Sequence, residues 1–206
     1  ANLYPEDMHL VLAKGVKLNS LKDLEGKRVG VAAAGSGTQV SVKMILKHYG
    51  INAKQAELNL GQSTQRLADG QLDAFFYAGG WPFAALIQLG STKGFDLYTF
   101  KKDEVKAINS IIPYYVPSTI PAGGYENIKY DVTTVAVNGQ LVTNVDQPAD
   151  LIYGITKALW SKKTRGLLDK GHSKGKQIRL ETALTGVLIP LHPGAAKFYK
   201  EKGMIK

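Results

Sequence analysis

Residues 27–38 read Lys-Arg-Val-Gly-Val-Ala-Ala-Ala-Gly-Ser-Gly-Thr, and this stretch decides the fold of the chain. Its beginning, residues 27–33, has the apolar pattern of a buried strand. Apolar residues then recur at the spacing of one helix face, and a glycine follows that is typical of a helix C-terminus: Val42, Ile45, Leu46, Tyr49 and Gly50. The sequence therefore predicts a strand, a glycine-rich turn and a helix in direct succession.

The same alternation of strand and helix continues through the first 100 residues. Further strands are predicted at residues 9–13, 55–60, 72–77 and 95–100. Between them we expect a helix from an N-cap at Ser63 to Gly70, a helix opened by Pro82 and a polar helix over residues 103–110. Strands separated by helices are typical of an α/β fold with a mostly parallel sheet flanked by helices.

The chain changes character after Pro113. Residues 114–125 are rich in aromatic residues and contain two prolines, which predicts an irregular segment. A long β segment is expected next, then a helix and two short helices, at residues 133–145, 150–169, 181–185 and 193–202. From residue 147 onward the pattern predicts no strand, so this helical tail with apolar stripes needs something to pack against.

The composition excludes several classes of protein. The chain has 206 residues, of which 44% are hydrophobic and 21% are charged, as in an ordinary globular protein. No apolar run approaches the roughly 18 to 20 residues that span a bilayer. Because the sequence has no cysteine, disulfides, thiolate zinc sites and cysteine nucleophiles are excluded.

The excess of positive charge is concentrated at one end of the chain. Residues 1–150 carry 14 basic and 14 acidic side chains, whereas residues 151–206 carry 12 basic and 3 acidic ones. Two interpretations remain open: a solvated basic face, and a surface that docks an acidic partner. Nucleic acid is disfavoured because the basic residues are neither interleaved with aromatic residues nor set on a recognition helix.

Gly35, Ser36, Gly37 and Thr38 stand between the first predicted strand and its helix. Backbone N–H groups at a helix start, together with the positive end of the helix dipole, can bind an anion. The hydroxyls of Ser36 and Thr38 can add hydrogen bonds to a carboxylate or phosphate. The same residues equally suit a tight turn in which Ser36 or Thr38 only caps the helix, so both interpretations stand.

Small and aromatic residues also follow the predicted strands, at the edge where α/β sheets bind ligands. Residues 61–63 (Gly-Gln-Ser) and 78–82 (Ala-Gly-Gly-Trp-Pro) would let the backbone approach a ligand closely. Five aromatic residues gather near this edge, where they either line a pocket or belong to the core and hinge: Tyr77, Trp81, Tyr114, Tyr115 and Tyr125.

Two nucleotide-binding motifs are incomplete in this sequence. Residues 30–35 have the glycine spacing of a P-loop, but Ser36 stands where the lysine belongs. Gly35 and Gly37 match the first two glycines of a dinucleotide motif, but Val40 fills the third position. An NTPase and a Rossmann cofactor site are therefore disfavoured, and we expect no cofactor.

Groups that carry catalysis or bind metals are sparse. The four histidines are widely separated and lack a metal-ligand spacing: His9, His48, His172 and His192. Asp69 and Asp73 flank a turn, where their expected role is to form and cap a helix–strand junction. Because no nucleophile–base pair is visible, we expect no catalytic residue and no metal site, and we do not expect an enzyme.

Five stretches of the chain, taken in order, resemble the TAXI-type solute-binding subunits of TRAP transporters. The first is Leu-Lys-Asp-Leu-Glu-Gly-Lys-Arg-Val-Gly-Val at residues 21–31, followed by Gly-Ser-Gly-Thr at 35–38. The others lie at residues 69–80, 119–125, 131–137 and 189–194. The first stretch alone also resembles other periplasmic binding families, whereas the ordered set covers nearly the whole chain.

The resemblance implies a two-lobed, hinge-closing binding protein of the type II periplasmic class. Such proteins bind glutamate, glutamine or related carboxylates and dock on a sodium-driven membrane transporter. Carried onto this sequence, the ligand-binding positions are Gly35, Ser36, Gly37, Thr38, Tyr77, Gly79, Gly80, Trp81, Pro82 and Tyr125. Trp81 is bulkier than the family pattern, which bears on the size of the ligand.

The resemblance also implies a division into lobes. Residues 9–135 would form the second, ligand-binding lobe, and residues 136–206 the returning hinge strand and C-terminal helices of the first lobe. The hinge would lie near Leu12 and Val137. Because the sequence lacks the N-terminal third of the family pattern, we expect a truncated product, a fragment or one half of an assembly.

The sequence thus predicts a periplasmic receptor that captures a small carboxylate or amino acid and delivers it to TRAP membrane subunits. Its contact with the membrane would be peripheral, and nucleic acid would not be a partner. Two alternatives remain open. One is an enzyme, such as a transferase, on the same two-lobe fold, because a fold does not fix a function. The other is a surface or interaction protein that has lost transport and uses residues 157–179 as its interface.

Overall fold

Seven strands and seven α-helices are present in a computed structural model that describes all residues, 1–206. The strands are β1 (Asn2–Ala13), β2 (Arg28–Gly30), β3 (Lys54–Ala56), β4 (Ala74–Gly79), β5 (Phe95–Leu97), β6 (Val116–Ile120) and β7 (Val132–Gln140). The helices are α1 (Gly37–Tyr49), α2 (Leu60–Ala68), α3 (Ala84–Thr92), α4 (Lys102–Ile111), α5 (Ala149–Leu159), α6 (Lys162–Lys170) and α7 (Pro193–Glu201). None of these helices is long and apolar enough to cross a membrane.

The chain divides into two compact units. One unit comprises residues 5–137, and the other comprises residues 1–4 together with residues 138–206. The larger unit holds the strand–turn–helix stretch from which the fold was predicted, and the smaller one holds α5, α6 and α7.

The strands form one mixed sheet in the order β3-β2-β4-β1-β7-β6, with β5 beside β1. Strands β3, β2 and β4 are parallel, as expected, but β1 runs antiparallel to β4 and β6 runs antiparallel to β7. The sheet is therefore not mostly parallel. The prediction failed because β1 precedes the first crossover helix, and β6 joins β7 through a segment without a helix.

Helices cover both faces of this sheet, which confirms the α/β fold class. Side chains along β1 alternate between two buried clusters: Met8, Leu10 and Leu12 belong to one, and Val11 belongs to the other. The first cluster also contains buried residues of α1 and α4, and the second contains residues of α2 and α3. Because side chains of a strand point alternately to opposite faces, the two clusters lie on opposite sides of the sheet.

Several element boundaries differ from those predicted. Asn59, not Ser63, caps α2: its side chain accepts from the Gln62 N–H at 2.9 Å, while Gln62 Oε1 accepts from the Asn59 N–H at 3.1 Å. This reciprocal pair satisfies two backbone donors at once, which a buried Ser63 cannot do from inside the helix. The helix expected at Pro82 begins at Ala84.

The segment 114–125 is not irregular throughout, because residues 116–120 form β6. Pro117 is tolerated there because β6 is the edge strand, with β7 as its only neighbour. The β segment expected to reach residue 145 ends at Gln140. The single helix expected over residues 150–169 is broken between α5 and α6, where Ser161 Oγ accepts from the Thr164 N–H at 3.2 Å and starts a new helix.

The smaller unit has a small core and a large exposed apolar surface. Helices α5 and α7 cross closely at Gly194, where a Cβ atom would meet the Ala149 carbonyl oxygen. Phe198, Tyr199 and Ala183 form the buried centre. Eight large hydrophobic side chains remain exposed in this unit: Leu141, Val142, Val145, Leu151, Ile155, Leu167, Leu188 and Ile189. Several of them surround a cavity of about 180 Å³ between α5 and the segment before α7.

Candidate functional site

The turn between β2 and α1 contains a glycine in the left-handed backbone conformation. Gly35 has φ +74°, a left-handed conformation that costs glycine little and other residues much more. Ser36 is extended, and its Oγ accepts from the Gln39 N–H at 3.2 Å, which makes it the N-cap of α1. The capping role considered for Ser36 is thus present, and it leaves the hydroxyl hydrogen available to donate.

Two backbone donors remain unused at this turn. The N–H groups of Gly37 and Thr38 have no acceptor within the chain, whereas the next one, of Gln39, is satisfied by Ser36. Helix α1 has 13 residues, so its dipole places roughly half a positive charge at this end. Gly37 is exposed and Thr38 is half-buried, so a negatively charged group can reach both donors from solvent.

Gln39 extends this donor set into the interior. Its Oε1 accepts from the Gly35 N–H at 2.9 Å, so the side chain folds back against the turn. Because a backbone N–H can only donate, this contact fixes which amide atom is the oxygen. The other atom, Nε2, is buried and has no hydrogen-bond partner, a situation found in the chain otherwise only for Asn2 Oδ1. Gln39 itself is 6% exposed.

An ion pair lies beside this amide. Glu57 follows the carboxyl end of β3, and its carboxylate lies 3.0 Å from Lys43 Nζ. Lys43 lowers the pKa of Glu57, and the Gln39 amide adds a smaller lowering. The Gln39 amide therefore points its positive end toward this corner without completing a hydrogen bond of normal geometry.

A second loop follows the next parallel strand. Strand β4 ends at Gly79, and Gly80, Trp81 and Pro82 continue the chain with a cis Trp81–Pro82 peptide bond. Gly79 is buried, and a Cβ atom there would meet the Phe83 ring at 3.0 Å, which explains the glycine. Because β2 and β4 are parallel neighbours, this loop and the turn at residues 35–38 follow the same edge of the sheet.

The carboxylate of Asp7 holds the second loop, residues 79–82, through a hydrogen bond from Trp81. This carboxylate is 1% exposed, and it accepts from Trp81 Nε1 at 2.7 Å through one oxygen. Its other oxygen accepts from Ser118 Oγ at 2.5 Å. In the sheet Asp7 pairs with Gly79, so the carboxylate lies beside the point where the loop begins. The bulky Trp81 thus has a hydrogen bond into the interior, and its ring packs near Gly124.

His9 and Tyr125 hold the end of the same loop. His9 Nδ1 lies 2.9 Å from the Asp7 carbonyl oxygen, which can only accept, so Nδ1 carries the proton. When the ring is neutral, His9 Nε2 accepts from the Tyr125 hydroxyl at 3.1 Å, and that hydroxyl in turn accepts from the Phe83 N–H at 3.4 Å. Tyr125 is 2% exposed, and burial raises the pKa of its hydroxyl.

The remaining aromatic residues take separate positions. Tyr77 is half-buried and packs edge-on against Phe83, with ring centres 5.1 Å apart. Tyr114 is half-exposed, and its hydroxyl lies 3.5 Å from Ser41 Oγ, one turn along α1 from Gly37. Tyr115 is buried, and burial raises its pKa. Tyr77 and Tyr114 therefore have surface to offer a ligand, whereas Tyr115 belongs to the core.

Sequence reasoning missed Asp7, Ser118 and Gln39, and for His9 it noted only that the residue has no metal-ligand spacing. A signal for Asp7 and His9 does exist. They occupy alternate positions directly before and within the apolar run of β1, so they share one face, and Asp is rarely found within strands. Gln39 stands at the third position of a helix after a serine N-cap, where Glu and Gln fold back on the preceding backbone.

The chain is similar to two solved structures of solute-binding proteins. The chain is similar to a solved structure described as the periplasmic sulfonate-binding protein SsuA of a sulfonate ABC transporter from Methylobacillus flagellatus KT. The identity is 14% and the TM-score 0.50, over 98% of this chain and 69% of that one. An ancestral arginine-binding protein bound to glutamine is 22% identical, with a TM-score of 0.46 over 82% of this chain. The chain spans 59% of the length of that protein.

The likeness to SsuA shows a fold shared with periplasmic solute-binding proteins. The sequence assigns the chain to a family, which is more specific than a shared fold. The sequence model of the NMT1-like family matches residues 1–203, which is almost the whole chain. The chain therefore belongs to the NMT1-like family.

Proposed function

We propose that this chain works in an extracytoplasmic solute receptor that captures a small carboxylate, of the glutamate or glutamine class, at the start of α1. One observation carries the proposal: the N–H groups of Gly37 and Thr38 point out of the helix start with no acceptor in the chain. The hydroxyls of Ser36 and Thr38 lie beside them, and the buried Gln39 Nε2 is a further donor without a partner.

This donor set suits a carboxylate for electrostatic reasons. A carboxylate has two oxygens that accept only, and hydrogen bonds to a charged acceptor are stronger than those between neutral groups. The dipole of α1 adds attraction without placing a second full charge in the site. No side chain at the turn is arranged as a nucleophile with a base, so binding and release is the activity that these groups support.

The loop Gly79–Pro82 supplies the other half of the proposed site. Gly80 allows close approach by a ligand, whereas the Phe83 ring fills the space beside the buried Gly79; Trp81 and Tyr77 offer half-buried ring surface for the apolar body of the ligand. In this proposal Tyr125 supports the loop through its hydroxyl and does not touch the ligand directly. Residues 9–135 would be the ligand-binding lobe, and residues 136–206 would belong to the other lobe.

A TRAP transporter is the membrane partner that we infer, with the TAXI-type receptors as the subfamily. The support is the ordered series of stretches at residues 21–38, 69–80, 119–125, 131–137 and 189–194. TRAP transport is driven by a sodium gradient, whereas ABC transport consumes ATP. Uptake of a labelled carboxylate by cells that make the receptor and its membrane partner should therefore collapse with a sodium ionophore. Uptake that persists without a sodium gradient would contradict this partner.

A proline substitution tests the site with little disturbance of the fold. Gly37 is the first residue of α1, a position at which proline is favoured, and the preceding Ser36 is extended, as a residue before proline prefers. Gly37→Pro removes one of the two unused N–H groups. Lys162→Pro is the matched control, because it changes the first residue of α6 after an equally extended serine cap, Ser161.

The measurement is a thermal-shift scan followed by calorimetry against amino acids, dicarboxylates, keto acids and phosphate. A ligand at a hundredfold excess over its Kd stabilises the native state by about 2.7 kcal/mol. We expect one carboxylate to raise the melting temperature. Gly37→Pro should weaken its binding by about 10-fold or more, since a hydrogen bond to a charged group contributes about 1.5–3 kcal/mol. Equal affinities for Gly37→Pro, Lys162→Pro and the unmodified chain would refute the site.

A further inference from the structure

Residues 161–179, here called the basic segment, concentrate the positive charge of the chain. They contain seven Lys and Arg side chains and a single acidic one, Asp169. The net charge of this segment is +6, out of +9 for all 206 residues. A solvated face needs no such concentration of charge.

The one carboxylate of the basic segment is already neutralised. Arg165 donates to both oxygens of Asp169, at 3.0 and 2.7 Å, and Arg179 approaches the same carboxylate at 3.7 Å. These arginines lower the pKa of Asp169, with Arg165 contributing most. Asp169 therefore stays ionised and fully engaged, and it leaves no negative charge to balance the lysines around it.

Arg165 also fixes the shape of the segment. Besides Asp169, its guanidinium donates to the carbonyl oxygens of Gly175 at 2.6 Å and Ile178 at 2.5 Å. Helix α6 has no buried residue of its own, so these bonds hold the chain after the helix against it. The result is a defined surface whose outer side chains are not needed for its structure.

Four exposed lysines form no direct ion pair, although Lys176 lies near enough to Asp169 to lower its pKa slightly: Lys162, Lys163, Lys170 and Lys176. Lys162 and Lys163 occupy the first turn of α6, the positive end of the helix dipole, where cations are unfavourable. Helix α4 also begins with a lysine, Lys102, but Asp103 and Glu104 follow it in the first turn, whereas the first turn of α6 has no acidic residue. These lysines are unfavourable at the start of a helix, and no contact compensates for this. Their presence therefore indicates a role other than stabilising the fold.

We propose that the basic segment docks the protein on an anionic phospholipid surface. A lipid surface requires a dense group of cations on long, flexible side chains, and no complementary shape. Leu167 is 65% exposed among these lysines and can enter the headgroup region. This proposal does not depend on the ligand.

The test is sedimentation with vesicles of pure phosphatidylcholine and with vesicles in which phosphatidylglycerol supplies the negative charge. The test variant is Lys162→Gln, Lys163→Gln, Lys170→Gln and Lys176→Gln combined, which leaves Arg165 and Asp169 intact. The control variant changes four exposed lysines of the larger unit by the same net charge: Lys22, Lys47, Lys102 and Lys106 to Gln. Thermal melts establish that both variants remain folded.

We expect binding to the anionic vesicles only, weakened by salt because the Debye length is about 8 Å at physiological ionic strength. Each lysine near the surface contributes about fivefold to the partition coefficient, so the test variant should lose on the order of a hundredfold or more. The control variant should stay within about fivefold of the unmodified protein.

Three results would overturn the proposal. The first is no binding to phosphatidylglycerol vesicles by the unmodified protein. The second is an equal loss in both variants, since only net charge would then matter. The third is lysine-dependent binding to poly-glutamate without binding to vesicles, which would identify an acidic protein as the partner.

Discussion

Trp81 Nε1 donates a hydrogen bond of 2.7 Å to the buried carboxylate of Asp7, which lies 74 residues earlier in the chain. Asp7 belongs to β1 and pairs in the sheet with Gly79, the last residue of β4. The loop of the proposed ligand site is therefore held by a side chain of a neighbouring strand. Its conformation depends on a contact that neither the loop nor the strand reveals alone.

Replacing Trp81 by Phe should separate the hydrogen bond from the ring. The variant keeps most of the ring area but removes the Trp81 N–H from one oxygen of a buried carboxylate, which costs about 1.5–3 kcal/mol of unfolding free energy. Urea denaturation measures this loss. Ser118→Ala removes the donor to the other oxygen of Asp7 and should destabilise the fold comparably, with a smaller effect on ligand affinity. An unchanged stability in Trp81→Phe would show that the bond does not hold the loop.

Adding a negative charge at residue 39 and removing one at residue 57 should have different effects on the affinity for a carboxylate. Gln39→Glu keeps an acceptor for the Gly35 N–H but places a negative charge beside the unused donors, so carboxylate binding should fall about 10-fold or more. Glu57→Gln removes a negative charge from the same corner and should leave the affinity of a carboxylate without an amino group equal or higher. Isothermal titration with 2-oxo dicarboxylates checks both. A loss in both variants would contradict the electrostatic account.

The Arg28–Asp73 pair predicts a specific dependence of stability on pH. Arg28 contacts both oxygens of Asp73, at 2.6 and 3.2 Å, and lowers the pKa of Asp73 below its ordinary value of 3.8. A lowered pKa in the folded state gives stability that is complete above the ordinary value and disappears as pH falls through the lowered one. Asp73→Asn should cost about 1 kcal/mol at pH 7, because the pair is partly exposed.

The difference between Asp73→Asn and the unmodified protein should narrow steadily below the ordinary Asp pKa of 3.8. Denaturant melts at pH 7, 5 and about 3 would follow it. A constant difference across this range would mean that Asp73 stabilises the fold through its shape and not through its charge.

Gly30 tests the packing between β2 and β4. A Cβ atom at Gly30 would lie 2.7 Å from Phe75 Cβ, its partner on the neighbouring strand, so Gly30→Ala must displace one strand. We expect a loss of about 1–3 kcal/mol in unfolding free energy, as for other overpacked cores. Gly61→Ala is the matched control: its Cβ would meet only Asn59 Oδ1, at 3.6 Å, and alanine should stabilise α2 by up to about 1 kcal/mol. Equal stability of the two variants would refute this packing.

The local parts of the fold were predictable because their signals are local. Hydrophobic periodicity and the positions of glycine predicted the strand at residues 27–33, the turn at 35–38 and the helix ending at Gly50. The structure has β2, the N-cap Ser36 and α1 in these places. Where two residues competed for one role, as Asn59 and Ser63 did for the cap of α2, the reciprocal bond with Gln62 decided between them. Hydrophobic periodicity does not show such a bond, but the spacing of Asn59 and Gln62 is a signature of it that the sequence contains.

The proposed site was predictable only where it is made of backbone. Glycines at strand ends mark where a ligand can approach, and residues 35–38 and 79–82 do follow neighbouring parallel strands. Asp7 escaped notice because its partners, Trp81 and Ser118, lie 74 and 111 residues away. The prediction of a mostly parallel sheet was wrong for a similar reason. Whether β1 pairs parallel or antiparallel with β4 depends on the path of the chain between the two strands and not on the residues of either strand.

The two residues that hold the Trp81 loop, Asp7 and His9, lie two positions apart on one face of β1, and they reach the loop at its beginning and its end. Gly80 is half-buried and takes no part in the hydrogen bonds just named. A substitution at residue 80 would therefore change the surface of the loop without removing the bonds that hold it. Relatives of this chain would then be free to differ at residue 80 while keeping the acid and the imidazole of β1.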